Sequence, residues 1–164
     1  MGNLKITLSP IIVRIHEEKD INEGKWQVKK EALDAIEKII AEANNRILPN
    51  GLGDIINSLK NKLNDGNKNL VRFMIQFITK LIDALGSGFK QYHKTLLVPI
   101  LNNLSDKQNL LREDVNKCLD KWTEMIGFET ILPNCCQFLN IDNYELRHDL
   151  IKIILKNKQS MQKF

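Results

Sequence analysis

The segment Leu63-Asn-Asp65-Gly-Asn-Lys-Asn-Leu70-Val71-Arg72 returns as Leu104-Ser-Asp106-Lys-Gln-Asn-Leu-Leu111-Arg112, with the two aspartates 41 positions apart. The same aliphatic-then-basic step stands upstream at Val28-Lys29 and downstream at Leu146-Arg147. Around these segments apolar residues fall at helical spacing. From Trp26 to Asn44 they are Val28, Ala32, Leu33, Ala35, Ile36, Ile39, Ile40 and Ala43, one stripe of an amphipathic helix. Leu111, Val115, Cys118, Leu119, Trp122, Met125 and Ile126 repeat that stripe, with Gly127 as a natural stop. Between Leu70 and Leu85 almost every residue is apolar or small, which predicts a helix buried on most sides and ended by Gly86 and Gly88.

Shorter helices complete the set. Ser9-Pro10 reads as N-cap and first-turn proline for a helix through Ile15. Asp54 to Leu63, Tyr92 to Leu104, Thr130 to Leu139 and Tyr144 to Lys156 carry the same spacing, and the one strand-like alternation, Leu4-Ile6-Leu8, has no partner. A helix pair recurring near 40 residues, with Asp in its inner turn and a basic residue early in the second helix, is the signature of a HEAT repeat. A single pair cannot bury its own apolar face, so pairs stack. The expectation is an all-α HEAT-repeat α-solenoid in one domain over residues 1–164. Its four helix pairs span 9–44, 52–85, 92–127 and 130–156, with a polar tail over 157–164, and the turn Asp caps the second helix.

A chain of 164 residues with 43% hydrophobic and 27% charged residues can bury a core, which excludes wholesale disorder. Its net charge of +4 suits an acidic partner surface but is too small for histone-like nucleic-acid binding. No apolar run approaches the roughly 20 residues of a membrane span, and residues 1–10 do not read as a secretory signal. Three cysteines, two of them adjacent (Cys135, Cys136), make a poor disulfide framework and suit a reducing compartment.

Nothing in the sequence calls for an active site, a metal or a cofactor. His16, His93 and His148 fall in different repeats, and there is no H-E-x-x-H, no paired C-x-x-C and no phosphate loop. Gly51-Leu-Gly53 is followed by Asp54, not Lys, and reads as a turn before a helix. Cys135-Cys136 as a nucleophile pair is outweighed by their reading as small core hydrophobes.

The inner turns of stacked pairs lie along one edge, so residues far apart in sequence share a surface. Down that edge stand Lys25, Trp26 and Lys29, then Asn67 and Lys68, then Lys107, Asn109 and Arg112, then Tyr144 and Arg147. This is a basic edge headed by one tryptophan, an arrangement suited to anchoring a protein partner. Trp26 has a competing reading as a staple onto the next pair, and Arg112 and Arg147 as scaffold residues bonded to a neighbouring turn. Trp122 lies on an apolar stripe and belongs to the core.

The turns Lys25-Trp26-Gln-Val-Lys29-Lys30-Glu31-Ala-Leu33, Leu63-Asn-Asp65-Gly-Asn67-Lys68 and Leu104-Ser-Asp106-Lys107 resemble the TOG domains of the ch-TOG and Mini spindles microtubule-polymerase proteins, most closely the last TOG of the array. Tyr92-His-Lys94 before Pro99-Ile100-Leu101, and Val115 to Trp122 before Gly127, fit the same resemblance, which covers about residues 3 to 157. It implies a paddle of HEAT pairs whose turn edge binds αβ-tubulin, in the cytoplasm and cytoskeleton at microtubules, spindle and centrosome. Other spindle or centrosome proteins are further implied partners; nucleic acid and membrane are not.

Carried onto this sequence, the resemblance makes Trp26 the β-tubulin anchor and sets Lys29, Lys68 and Lys107 opposite acidic tubulin surface. Lys29 stands where many relatives have Arg, which keeps the charge and loses the planar fork. A full TOG domain has six HEAT repeats, so the resemblance also implies a domain without the repeats that reach α-tubulin, one that binds tubulin and does not polymerise it. The alternative is a HEAT adaptor that binds through its helix faces and has no tubulin activity.

Overall fold

The computed structural model describes residues 52–161 and, upstream, Glu31, Asp34, Ala35, Glu37, Lys38 and Ala41, which are helical. Those upstream residues fall within the helix expected from Trp26 to Asn44. The expected helix at Ser9-Pro10, the Leu4–Leu8 stretch and the turn bearing Lys25, Trp26 and Lys29 lie outside the described residues.

From residue 52 onward the helices are α1 Gly53–Lys62, α2 Lys68–Leu85, α3 His93–Asn102, α4 Asn109–Ile126, α5 Leu132–Phe138 and α6 Tyr144–Met161. Short 3-10 segments lie at Gly86–Tyr92, Asn103–Ser105 and Phe128–Thr130, and no strand occurs among the described residues. First helices stack on first helices (α1 on α3, α3 on α5) and second on second (α2 on α4, α4 on α6). The architecture is an all-α HEAT-type solenoid. One boundary moves: α6 continues past Lys156 to Met161, so the start of the expected polar tail is helical.

The expected stripes form the core. On α2, Leu70, Val71, Met74, Ile75, Phe77, Ile78, Leu81 and Ile82 are all buried, because this helix lies between α1 and α4. Burial of each such side chain contributes roughly 1.5–3 kcal/mol. Gly86 ends α2 at φ 52°, a left-handed backbone that favours glycine. Trp122 on α4 is fully buried, its ring edge-to-face with Phe89 at 4.9 Å, so the 3-10 segment after α2 is pinned to the next pair.

Pro99 inside α3 removes one helical N–H donor. The buried Asn103 at the end of α3 donates from Nδ2 to Pro99 O at 2.9 Å and to Leu63 O at 3.1 Å. The second bond ties the end of α3 to the start of the preceding pair's inner turn, one repeat away.

Candidate protein-binding edge

Three inner turns are described: residues 63–67, 103–108 and 139–143. Each is built by a short polar side chain folding back on the backbone. In the first, Asp65 Oδ1 accepts from Asn67 N at 2.8 Å, and Asn67 Oδ1 accepts from Leu70 N at 3.2 Å. In the second, Asp106 Oδ1 accepts from Gln108 N at 2.9 Å, and Gln108 is the N-cap without a side-chain bond. In the third, Asn143 Oδ1 accepts from Leu146 N at 2.9 Å.

The expectation that the turn Asp caps the second helix is therefore corrected. Asp65 and Asp106 stand two residues ahead of the N-cap, where a carboxylate reaches the next-but-one N–H and closes an Asx turn. Capping by side chain falls to Asn67 and Asn143.

With the caps fixed, corresponding positions can be compared. Two before the cap stand Asp65, Asp106 and Ile141; one after it stand Lys68, Asn109 and Tyr144. Arg112 and Arg147 are four after their caps, but Arg72 is five after. The repeat thus slips by one residue between turn and arginine.

That slip does not break the contact the arginines make. Arg72 Nε donates to Asp114 Oδ2 at 2.7 Å, with Gln76 Nε2 adding a bond to the same oxygen at 3.1 Å. One repeat on, Arg112 Nε lies 3.4 Å from Asp149 Oδ2. Both aspartates stand six residues after their caps, so each second helix hands an arginine to the aspartate of the next.

These contacts consume much of the expected positive charge. Lys68 Nζ pairs with Asp106 Oδ2 at 3.2 Å across the first two turns. Burial alone would raise the Asp106 carboxyl, but the Gln108 N–H and Lys68 hold it below its ordinary value. Arg112 is turned inward: Nη1 donates to Asp106 O at 2.8 Å and Nη2 to Asn109 Oδ1 at 3.1 Å, in addition to Asp149. Arg147 Nε donates to Leu139 O at 3.1 Å, and Nη1 pairs with Asp142 at 3.2 Å.

Asn67, Lys107 and Asn109 are exposed on the edge, and among the described candidates Lys107 is the cation without an ion pair. Asn143 Nδ2 reaches Ser105 O at 3.5 Å and holds the third turn beside the second.

No family model matches the chain. Curated relatives do. Centrosomal protein 224 of Dictyostelium discoideum is 31% identical over 132 residues, 79% of this chain and 6% of that protein. Protein MOR1 of Oryza sativa subsp. japonica is 31% identical over 115 residues, 70% of this chain and 6% of its own. Protein mini spindles of Drosophila melanogaster is 24% identical over 111 residues, 68% of this chain and 5% of its own. The chain thus spans about one-twentieth of the length of the relatives it matches.

Among solved structures, one of microtubule polymerases with Tumor Overexpressed Gene (TOG) domain arrays, described for tubulin recruitment and assembly, matches with TM-score 0.74 at 20% identity. The match covers 90% of this chain and 30% of that one. A second, described for microtubule plus end tracking by XMAP215, CLIP-170 and EB1, matches with TM-score 0.74 at 17% identity over 87% of this chain and 58% of its own. The chain has the fold of these TOG-domain structures and is similar in sequence to MOR1, Centrosomal protein 224 and Mini spindles.

In this fold the cysteines divide. Burial pushes the Cys118 and Cys135 thiols up to about 12, so neither ionises near neutral pH. Cys136 is exposed, which corrects its reading as a core residue, because α5 turns successive side chains to different sides. No group of three or more metal-ligating side chains gathers among the described residues, and no helix there is long and apolar enough to cross a membrane.

The turn edge also carries two apolar side chains that sequence reasoning passed over. Leu110, the second residue of α4, is 55% exposed, and Ile141 in the third turn is 43% exposed. Ile141 could have been found from the sequence, since it stands where the earlier turns place Asp65 and Asp106.

Proposed function

We propose that this TOG domain binds αβ-tubulin along its inner-turn edge, as a module of a microtubule-associated regulator of microtubule growth and spindle organisation. The observation that carries this reading is the shared construction of the successive turns, which sets Asn67, Lys68, Lys107 and Asn109 along one edge of a TOG-type solenoid. The relatives include a centrosomal protein and Mini spindles, and one matched structure is described for tubulin recruitment. These support a cytoplasmic, cytoskeletal site of action at microtubules, spindle and centrosome.

In this reading Lys25, Trp26 and Lys29 add a turn ahead of the three described ones, with Trp26 as the anchor. Arg112 and Arg147 serve as positioning residues, since their guanidinium groups hold Asp106 O and Leu139 O in the turns. The domain acts as a binding module in this reading, and burial of Cys135, which keeps its thiol protonated, argues against that residue as a nucleophile.

The test is co-elution of the purified chain with unpolymerised αβ-tubulin, beside Trp26→Ala. A complex that forms with the native chain and is lost in the variant supports the reading; equal complex formation in both removes Trp26 from the site. No complex at low salt favours the second reading, a HEAT adaptor that binds through helix faces. The exposed Ile151 and Leu155 on α6 favour that reading.

A further inference from the structure

The described edge changes chemical character along its length. Between the first and second turns the link is ionic: Lys68, one residue after its cap, pairs with Asp106, two residues before the next. The corresponding pair between the second and third turns is Asn109 and Ile141, with no charge on either side. Asn109 is committed to its own helix, donating to Glu113 Oε1 at 2.7 Å and accepting from Arg112.

The following position, equivalent to Lys68, is Tyr144. It is 77% exposed and its ring stacks on His148 with centroids 6.0 Å apart. Leu110 adds an exposed aliphatic side chain beside the second turn. Arg112 and Arg147 are held by Asp149, Asp142 and backbone carbonyls, which leaves Lys107 as the unpaired cation among the candidates on this half of the edge.

We propose that the second and third turns recognise an uncharged, apolar strip of the tubulin surface, with Leu110, Ile141 and Tyr144 as the contacting side chains. The proposal rests on the tubulin reading above and assigns a different recognition chemistry to this half of the edge. Charged pairs that are already satisfied within the domain offer a partner little, because a new contact must first break the old one. Exposed Leu, Ile and Tyr gain by leaving water, and a stacked tyrosine loses little side-chain freedom on binding. Continuity with the first turns and the Asn143–Ser105 bond keep this apolar portion on the same edge, not on a separate face.

Salt separates the two chemistries. Ionic contacts at an exposed edge weaken as the Debye length shrinks, whereas apolar burial does not. The experiment measures the affinity of the full chain for unpolymerised αβ-tubulin at low and moderate salt, for the native chain, for Leu110→Ala/Tyr144→Ala, and for Lys107→Ala. The expected result is a loss of about tenfold or more in the double variant at both salts, whereas the loss in Lys107→Ala shrinks as salt rises.

Thermal melting checks that the exposed-site variants stay folded, and Leu110→Gln/Tyr144→Gln provides a second, solubility-matched pair. A double variant that binds like the native chain overturns the proposal while leaving tubulin binding intact. A native chain that does not bind tubulin at either salt overturns the tubulin reading itself, and this proposal with it.

Discussion

Arg72 and Asp114 meet through a 2.7 Å Nε–Oδ2 bond that spans 42 positions of sequence, and the aspartate is almost fully buried. With Arg112 and Asp149 repeating the contact one pair later, the second helices are locked in register by charge as well as by apolar packing. The two contacts differ in strength. The first is short and reinforced by Gln76; the second is longer, and its arginine is shared among three acceptors.

Asp114→Ala is expected to leave Arg72 and Gln76 without their acceptor and to cost about 2–3 kcal/mol of stability, discounted because Arg72 is partly exposed to water. Urea unfolding measures it directly. Asp149→Ala should cost less, and a cost equal to or greater than that of Asp114→Ala would contradict the stated ranking of the two contacts.

Trp122→Ala empties the space between α4 and the 3-10 segment at Gly86–Tyr92. A fully buried tryptophan truncated in this way costs about 3–5 kcal/mol. Its Nε1–H is buried without a partner, so Trp122→Phe removes an unsatisfied donor along with part of the ring volume. The midpoint of thermal unfolding should therefore fall much less for Trp122→Phe than for Trp122→Ala.

The cysteines predict a partition in reactivity. A thiol-specific reagent added to the folded chain should modify Cys136 and leave Cys118 and Cys135 intact until denaturant is added. The two buried thiols rise to about 12 from an ordinary 9.0. Above pH 9.0 the unfolded state gives up protons that the native state keeps, so their contribution to stability, full below that value, declines as pH rises toward 12. Replacing both with Ala should flatten this alkaline limb of the stability–pH curve.

His93 governs the acid side. Burial lowers its pKa from 6.5, with Lys94 and Lys90 adding to the shift, and its Nδ1 is buried without a partner beside Trp122. As pH falls below 6.5 the unfolded imidazole takes up a proton that the native one resists, so stability present above 6.5 is lost with acidification. His93→Phe should reduce the slope of the urea midpoint against pH in this range. An unchanged slope would place the acid sensitivity elsewhere.

Helix type and turn position were legible because both are local. The stripe on α4 and the stop at Gly127 follow from spacing within one helix, and the inner turns from short polar residues beside the next helix start. The capping assignment was nearly local and still missed by two residues, since Asp and Asn offer similar oxygens and only backbone geometry decides which reaches the third N–H.

The sequence by itself determined a stack of helix pairs, the place of the turn edge and the burial of Trp122, because periodicity and turn chemistry are written within each repeat. Only the tertiary structure decided which charges on that edge remain for a partner. Lys68, Arg72 and Arg112 find their carboxylates about 40 residues away, across an interface whose register depends on a one-residue slip. A count of lysines and arginines in one repeat cannot see the aspartates of the next, and electrostatic pairing depends on distances of a few ångströms that packing alone fixes.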